Sequence, residues 1–319
     1  MNLDGKLFPA VPVPFGPDGE IDREAQQRYI EWMSGQPVGG VAVWVHTGRG
    51  LRLTDRQREY VLRSWREGMP RGAAIIAGAG ARPEIAPKPE AVMSDALRMA
   101  KQARDFGADA LLAHPPTALR GLDGLDDMIV GYHDALAGAD LPLICFYLYE
   151  AAGGISYSPD VLDRLFTMPA VAGIKMATLD SVCTYQEVAA LISERFPGKT
   201  LVTGEDRFLG YSIMLGARAA LIGMGAASVA MQSRLLNSWI EGDFAAFARL
   251  SAKVDKLAMR TFVKPMEGYI QRMLWCLAFA GVISWDATRD PWGPALPREQ
   301  REALRVCLAE LGEDTSHAP

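Results

Sequence analysis

Close cysteine pairs, long apolar runs and concentrated positive charge are all missing from this chain of 319 residues. Cys145, Cys183, Cys276 and Cys307 stand far apart with no CxxC. That spacing argues against a zinc knot or a disulfide framework and suits a reduced, cytoplasmic setting. No apolar stretch reaches the ~18 residues needed to cross a bilayer. The opening "MNLDGKLFPAVPVPF" lacks the charged-then-apolar order of a signal peptide. With a formal net charge of −5 and no basic or basic-aromatic block, neither nucleic acid nor a membrane is expected as a partner. The four histidines, His46, His114, His133 and His317, form no HxH or HExxH pair, so no metal centre is expected.

Short apolar runs rich in Val, Ile, Leu and Ala recur instead. They lie at 8–14, 40–45, 73–78, 109–113, 142–147, 171–175, 200–203 and 219–223. Continuous rather than alternating hydrophobicity marks strands buried on both faces, as in a parallel sheet. Helical segments separate them. One at 22–35 has Asp22 as its cap, one at 54–68 has Thr54, and one at 158–166 has Ser158 followed by Pro159. Another, at 90–107, closes on Gly107, a residue suited to a left-handed terminus. Eight strands alternating with helices predict a (β/α)8 TIM barrel. The rival, a doubly wound sheet, should carry GxGxxG after its first strand, where this chain has "FGPDGEID". Beyond about residue 230 only helical patterns remain. The expected division is a barrel over 1–245 and a C-terminal helical extension over 246–319 that packs on it.

In such a barrel, functional groups stand at the C-terminal ends of strands. Lys175 ends the sixth run, "VAGIK", and has the most apolar flank of the eight lysines. A desolvated lysine loses its proton more readily, and the free amine can attack a carbonyl to form a Schiff base. The bland alternatives are a rim lysine that snorkels to water or one paired with a carboxylate. Lys264 is a rival nucleophile, but it lies in the helical extension. Tyr147 ends the fifth run and could relay protons to the imine carbon or a substrate oxygen; Tyr149 is a second candidate. After the second run, "HTGRG" offers Thr47 and Gly48 to hold a carboxylate, with His46 or Arg49 assisting. After the seventh, "TGEDRF" offers Glu205 and Asp206 to substrate hydroxyls or to a divalent metal.

Together these motifs resemble the dihydrodipicolinate synthase/N-acetylneuraminate lyase family of Schiff-base-forming, class I aldolase-like enzymes. "HTGRGLRLTDRQRE" resembles the family's GTTGE and the Leu-Thr-x-x-Glu helix start after it. "FYLYEAAGG" sits at the Tyr-Asn-x-Pro motif, with the family's tyrosine-to-lysine spacing. "GIKMATLD", "TGEDRF" and "RDPWGPALP" match later motifs in order. The resemblance implies a pyruvate or other 2-oxo-acid Schiff base on Lys175, with Tyr147 as proton relay and Thr47 as the retained member of a threonine pair. Gly204 and Asp206 would meet the distal part of the substrate. It implies no metal or organic cofactor and a homo-oligomer, dimer or tetramer. Several positions depart from the pattern. His46 replaces the first threonine and Arg49 the following glutamate, while Leu148 and Glu150 replace the Asn and Pro. Ala152 stands where dihydrodipicolinate synthase has a carboxylate-gripping arginine, and 113–121 lacks the family's tyrosine pair.

The expected function is therefore a Schiff-base lyase, aldolase or dehydratase, acting on pyruvate or a 2-keto-3-deoxy sugar acid rather than true dihydrodipicolinate synthase. His46 is a candidate new binding or acid–base group, since histidine titrates near neutral pH. Two rivals stand beside this expectation: a non-catalytic 2-oxo-acid sensor on the same fold, and a metal-dependent barrel aldolase.

Overall fold

The computed structural model describes residues 1–82, 89–179 and 181–318. Eight parallel strands form its centre: β1 Leu7–Pro9, β2 Gly40–Val43, β3 Ala74–Ala79, β4 Ala110–Ala113, β5 Leu143–Leu148, β6 Val171–Ala177, β7 Thr200–Thr203 and β8 Ala219–Ile222. They pair in the order β1-β8-β7-β6-β5-β4-β3-β2, and an Ala10–Ala42 bridge joins the two ends. The fold is a (β/α)8 barrel.

Seven of the eight apolar runs become strands close to the expected bounds. The first does not. It was read over 8–14, yet β1 ends at Pro9, because Pro12 and Pro14 have no N–H to extend the ladder.

Side-chain direction alternates along each strand. Phe8, Ala42, Ile76, Leu112, Ile144, Phe146, Val202 and Leu221 point inward and fill the barrel. Val43, Ile75, Cys145, Tyr147, Ile174, Met176 and Leu201 face the helical layer. This explains why the strands read as unbroken apolar runs. By the same alternation, Lys175 lies on the inward face of β6, between Ile174 and Met176.

The helices between strands are α1 Arg23–Ser34, α2 Asp55–Gly68, α3 Pro89–Asp105, α4 Leu125–Ala137, α5 Pro159–Thr167, α6 Val182–Arg195, α7 Leu209–Met214 and α8 Val229–Ile240. Asp22 caps α1 by accepting the Ala25 N–H at 2.9 Å. Thr54 and Gln57 form a reciprocal capping box at α2. Ser158 caps α5 with Pro159 in its first turn. Gly107 adopts the left-handed conformation (φ +96°) just past α3.

Three further helices complete the chain: α9 Phe244–Thr261, α10 Tyr269–Phe279 and α11 Arg298–Leu311. Their junction is held by Arg272, which is fully buried. Its guanidinium donates to the carbonyls of Thr261 (2.9 Å) and Val263 (3.1 Å) and to Gln300 Oε1 (2.8 Å). One side chain thus fixes the end of α9, the turn before α10 and the start of α11. Among the described residues, no helix is long and apolar enough to cross a membrane.

Replacing Arg272 with Met would leave those buried carbonyls without donors. We expect a loss of about 2–4 kcal/mol in unfolding free energy, read from the midpoint of urea denaturation. A midpoint equal to that of the wild type would contradict this account of the junction.

Candidate active site

The site begins with strand register. Leu143 pairs with Val171 but Ile144 pairs with Gly173, so β6 carries one extra residue, Ala172, at this point. From there Phe146 lies opposite Lys175, and Tyr147 opposite Met176. Because successive side chains face opposite ways, the one-residue shift exchanges which aromatic ring meets the lysine. The Phe146 ring lies 4.1 Å from Lys175 Nζ, within cation–π range. Tyr147 points into the helical layer, packs edge-on to Tyr157 at 5.8 Å and donates to Ser156 Oγ at 3.1 Å. The structure does not bring Tyr147 to Lys175.

Lys175 is only 6 % exposed. Burial drives its pKa down, and the carboxylates of Asp206 and then Glu205 pull back against that shift. Gly204 allows the loop after β7 to close over the lysine stem. Its N–H donates to Met176 O at 2.6 Å, and a Cβ there would lie 2.4 Å from Lys175 Cε.

Glu205 is buried and accepts from the Thr178 N–H (2.6 Å), Thr178 Oγ1 (2.9 Å) and the Leu179 N–H (3.0 Å). Desolvation nonetheless raises its pKa to about 7. Both its oxygens serve to hold the turn after β6. Asp206 accepts from the Met224 N–H at 2.7 Å and, more weakly, from the Gly223 N–H at 3.4 Å. Burial raises its pKa, with the Met224 N–H and Lys175 opposing the shift.

Lys175 opens onto a cavity of about 40 Å³ lined by Thr47, Gly204, Asp206, Gly223, Phe262 and Tyr269. Tyr149 also reaches it. An adjoining cavity of about 290 Å³ shares Val45, His46 and Phe146 with the first and continues over Leu112, His114 and Ala152. The small cavity suits a reacting carbonyl group, and the larger one suits the remainder of a small molecule.

Thr47 Oγ1 lies 2.9 Å from the hydroxyl of Tyr269, the first residue of α10. Gly48 uses its N–H on Val45 O at 3.0 Å and therefore does not offer it to a ligand carboxylate. His46 Nε2 lies 2.9 Å from Glu267 Oε1, and its ring is stacked near-parallel to Tyr269. Arg49 binds Glu267 at 2.7 Å and Asp290 through two nitrogens, at 2.7 and 3.3 Å. Burial alone would raise the Glu267 carboxyl, but His46 and Arg49 outweigh it and hold its pKa down at about 2.

Glu267 and Tyr269 escaped notice in the sequence because they sit in the segment read as helical extension. The available signal was "MEGY" just after the rival lysine Lys264, which is itself exposed. Among the described residues, no group of three or more His, Cys, Asp and Glu side chains is arranged to hold a metal ion.

A desolvated lysine with a phenol, a threonine and a buried carboxylate around one small cavity, at the C-terminal mouth of a (β/α)8 barrel, defines a class of amine-bearing barrel proteins. The chain belongs to the dihydrodipicolinate synthetase family, whose sequence profile matches residues 4–311. It is 26 % identical over 262 residues to a 4-hydroxy-tetrahydrodipicolinate synthase of Roseobacter denitrificans, covering 81 % of this chain and 83 % of that one. It is 25 % identical over 308 residues to the synthase of that name from Methylococcus capsulatus, covering 95 % and 97 %. Among solved structures, the fold matches N-acetylneuraminate lyase from Mycoplasma synoviae with a TM-score of 0.76 at 19 % identity, over 97 % and 98 % of the two chains. It matches YagE, an E. coli K12 prophage protein of the dihydrodipicolinic acid synthase family, with a TM-score of 0.81 at 18 % identity, over 96 % and 98 %.

The close approach at Gly204 yields a direct test. In Gly204→Ala the new methyl must displace Lys175, and a shift near 1 Å costs roughly 10²-fold in rate. Turnover, or the rate of covalent labelling at Lys175 by a carbonyl reagent, should fall by about that factor. An unchanged rate would mean that the lysine stem is free to move.

Proposed function

We propose that the protein is a Schiff-base-forming lyase acting on pyruvate or another 2-oxo acid, by aldol cleavage, condensation or dehydration. The observation that carries this reading is Lys175, buried on the inward face of the barrel with a downward-shifted pKa and an adjoining cavity. Family membership supports it, and YagE, which shares the fold, was solved in complex with pyruvate.

The chemistry follows from the geometry. Free Lys175 Nζ adds to the C2 carbonyl, and loss of water leaves a protonated imine. The imine keeps its positive charge beneath the Phe146 ring and close to Asp206, in a setting of low polarity where both contacts are effective. That charge draws electrons from the C3 bond being broken, giving an enamine after C–C cleavage or proton loss. The 290 Å³ cavity would receive the distal part of the substrate against Leu112, Phe146 and Ala152, with His46, Arg49, Arg52, His114, Thr117 and Glu267 as its polar groups. Ala152, in place of an arginine, gives a distal carboxylate no cation at that position, which favours a reaction other than dihydrodipicolinate synthesis. We also propose a homo-oligomeric assembly, dimer or tetramer, in the cytoplasm. One structure of the same fold is described as the first monomeric variant of dihydrodipicolinate synthase, so for that enzyme the monomer is a departure.

A second reading, a 2-oxo-acid sensor, is favoured by one observation. Phe146, which has no hydroxyl, covers the lysine where the sequence had suggested a tyrosine.

The decisive experiment is reduction with borohydride in the presence of pyruvate and a panel of 2-oxo acids. We expect one adduct per chain, located on Lys175 by peptide mass analysis and absent from Lys175→Ala. If no 2-oxo acid labels Lys175, the proposal fails; labelling without turnover of any candidate substrate selects the sensor.

The pH dependence follows from the direction of the lysine shift. The amine must be neutral to attack, and a lowered pKa makes it neutral at lower pH than usual. The rate of imine formation should rise with pH and level off well below ~10.4, the ordinary lysine value. Levelling only at that ordinary value would contradict a desolvated nucleophile.

A further inference from the structure

We propose that Tyr269, at the start of α10, is the acid–base hydroxyl of this site, working with Thr47 across the small cavity from Lys175. The inference rests on the Schiff-base reading of Lys175 and assigns a residue that this reading leaves open. Imine formation moves protons from nitrogen to oxygen, so an acid–base group must stand beside the reacting carbon, and a phenol is one that can serve. Four tyrosines surround the site, and their placements separate them. The Tyr147 hydroxyl lies in the helical layer against Ser156. That of Tyr157 is buried behind β5, against Phe146 O at 3.2 Å and His133. Tyr149 begins the loop after β5, half-buried, its N–H bonded to Ala177 O.

Tyr269 alone among these four is both buried and a lining residue of the small cavity that holds Lys175. Its hydroxyl is held 2.9 Å from Thr47 Oγ1. Its ring is fixed between Phe262, stacked at 4.5 Å, and His46. Gly223 leaves room above the ring, since a Cβ there would come within 2.9 Å of Tyr269 Cε2. The charged groups around it are Glu267, Arg49 and Asp206, and burial keeps the phenol protonated at neutral pH.

The proton balance suits a hydroxyl that never has to stay ionised. Converting a lysine ammonium and a ketone into a protonated imine and water transfers two protons from Nζ to the departing oxygen. The nitrogen first loses a proton and donates its lone pair to C2, while the carbonyl π pair moves to oxygen. The phenol passes its proton to that oxygen and is reprotonated, by way of Thr47, with the proton nitrogen lost. The same exchange then protonates the carbinolamine hydroxyl. The C–O bond breaks with its electron pair, water leaves, and the nitrogen lone pair closes the C=N bond. The phenol ends as it began.

Tyr269→Phe keeps the ring stacked on Phe262 and loses only the bond to Thr47, so it should fold and unfold within a few degrees of wild type. The probe is exchange of the C3 hydrogens of pyruvate and 2-oxobutanoate with deuterium oxide, followed by proton NMR, beside borohydride trapping carried to equilibrium. Tyr269→Phe should slow exchange by about 10²–10⁴-fold, the usual range for removing a general acid–base group. The final yield of adduct on Lys175 should not change. Thr47→Val should slow exchange as well, and Tyr147→Phe should not. If wild-type protein traps on Lys175 but Tyr269→Phe exchanges at the wild-type rate, or the loss follows Tyr149→Phe instead, the assignment of Tyr269 is overturned while the Schiff-base reading stands. If wild-type protein gives no adduct on Lys175 with either acid, that reading falls and Tyr269 with it.

Discussion

Everything distinctive in this site depends on keeping one ammonium out of water. A lysine 6 % exposed on the inner face of a barrel is costly to charge. The fold compensates only in part. An aromatic face lies at 4.1 Å, and two carboxylates stand close enough to oppose the downward shift. Those carboxylates are themselves raised by burial and tied to backbone N–H groups, so their charge is restrained as well. Fully compensated, the lysine would be an inert cation; left wholly without compensation, it would destabilise the barrel. The intermediate state holds the lysine pKa below its ordinary value, as the proposed nucleophile requires.

The second constraint joins the barrel to the helices that follow it. Arg49 grips Glu267 and Asp290, and Glu267 in turn holds His46. The loop after β2 is thereby pinned to two segments from the far end of the chain. His46 and Arg49 thus act as one unit in this structure. Both contact the same carboxylate, and that carboxylate lies two residues before the phenol that meets Thr47.

The strands were legible because burial on both faces leaves continuous apolar runs, and the helix starts because Asp22, Thr54 and Ser158 act on neighbours three residues away. Lys175 stood out for a similar reason: its flank is apolar and the charge is conspicuous. The placement of Tyr147 away from Lys175 has a definite physical reason. Counting from the pair Leu143–Val171 places Tyr147 opposite Lys175, and the extra residue Ala172 moves Phe146 there instead. A register shift of one residue has no signature in hydrophobicity, because both faces of the strand are buried. Glu267 and Tyr269 were harder to read, with only "MEGY" after Lys264 to mark them, for another reason. Their position is set by Arg49, Asp290 and Arg272, contacts between segments far apart in the sequence that no local pattern encodes.

The bond between Thr47 and Tyr269 spans 222 residues and has a consequence during synthesis. A ribosome that has just released β8 has produced all eight strands, the lysine and both loop carboxylates of the seventh turn. At that moment Arg49 and Thr47 still lack their partners, and the mouth of the barrel has no cover from α10. Until α10 docks, the cavity beside Lys175 lacks the walls that Phe262 and Tyr269 give it. The cavity is thus completed by the final quarter of the polypeptide, after every strand of the barrel has been made.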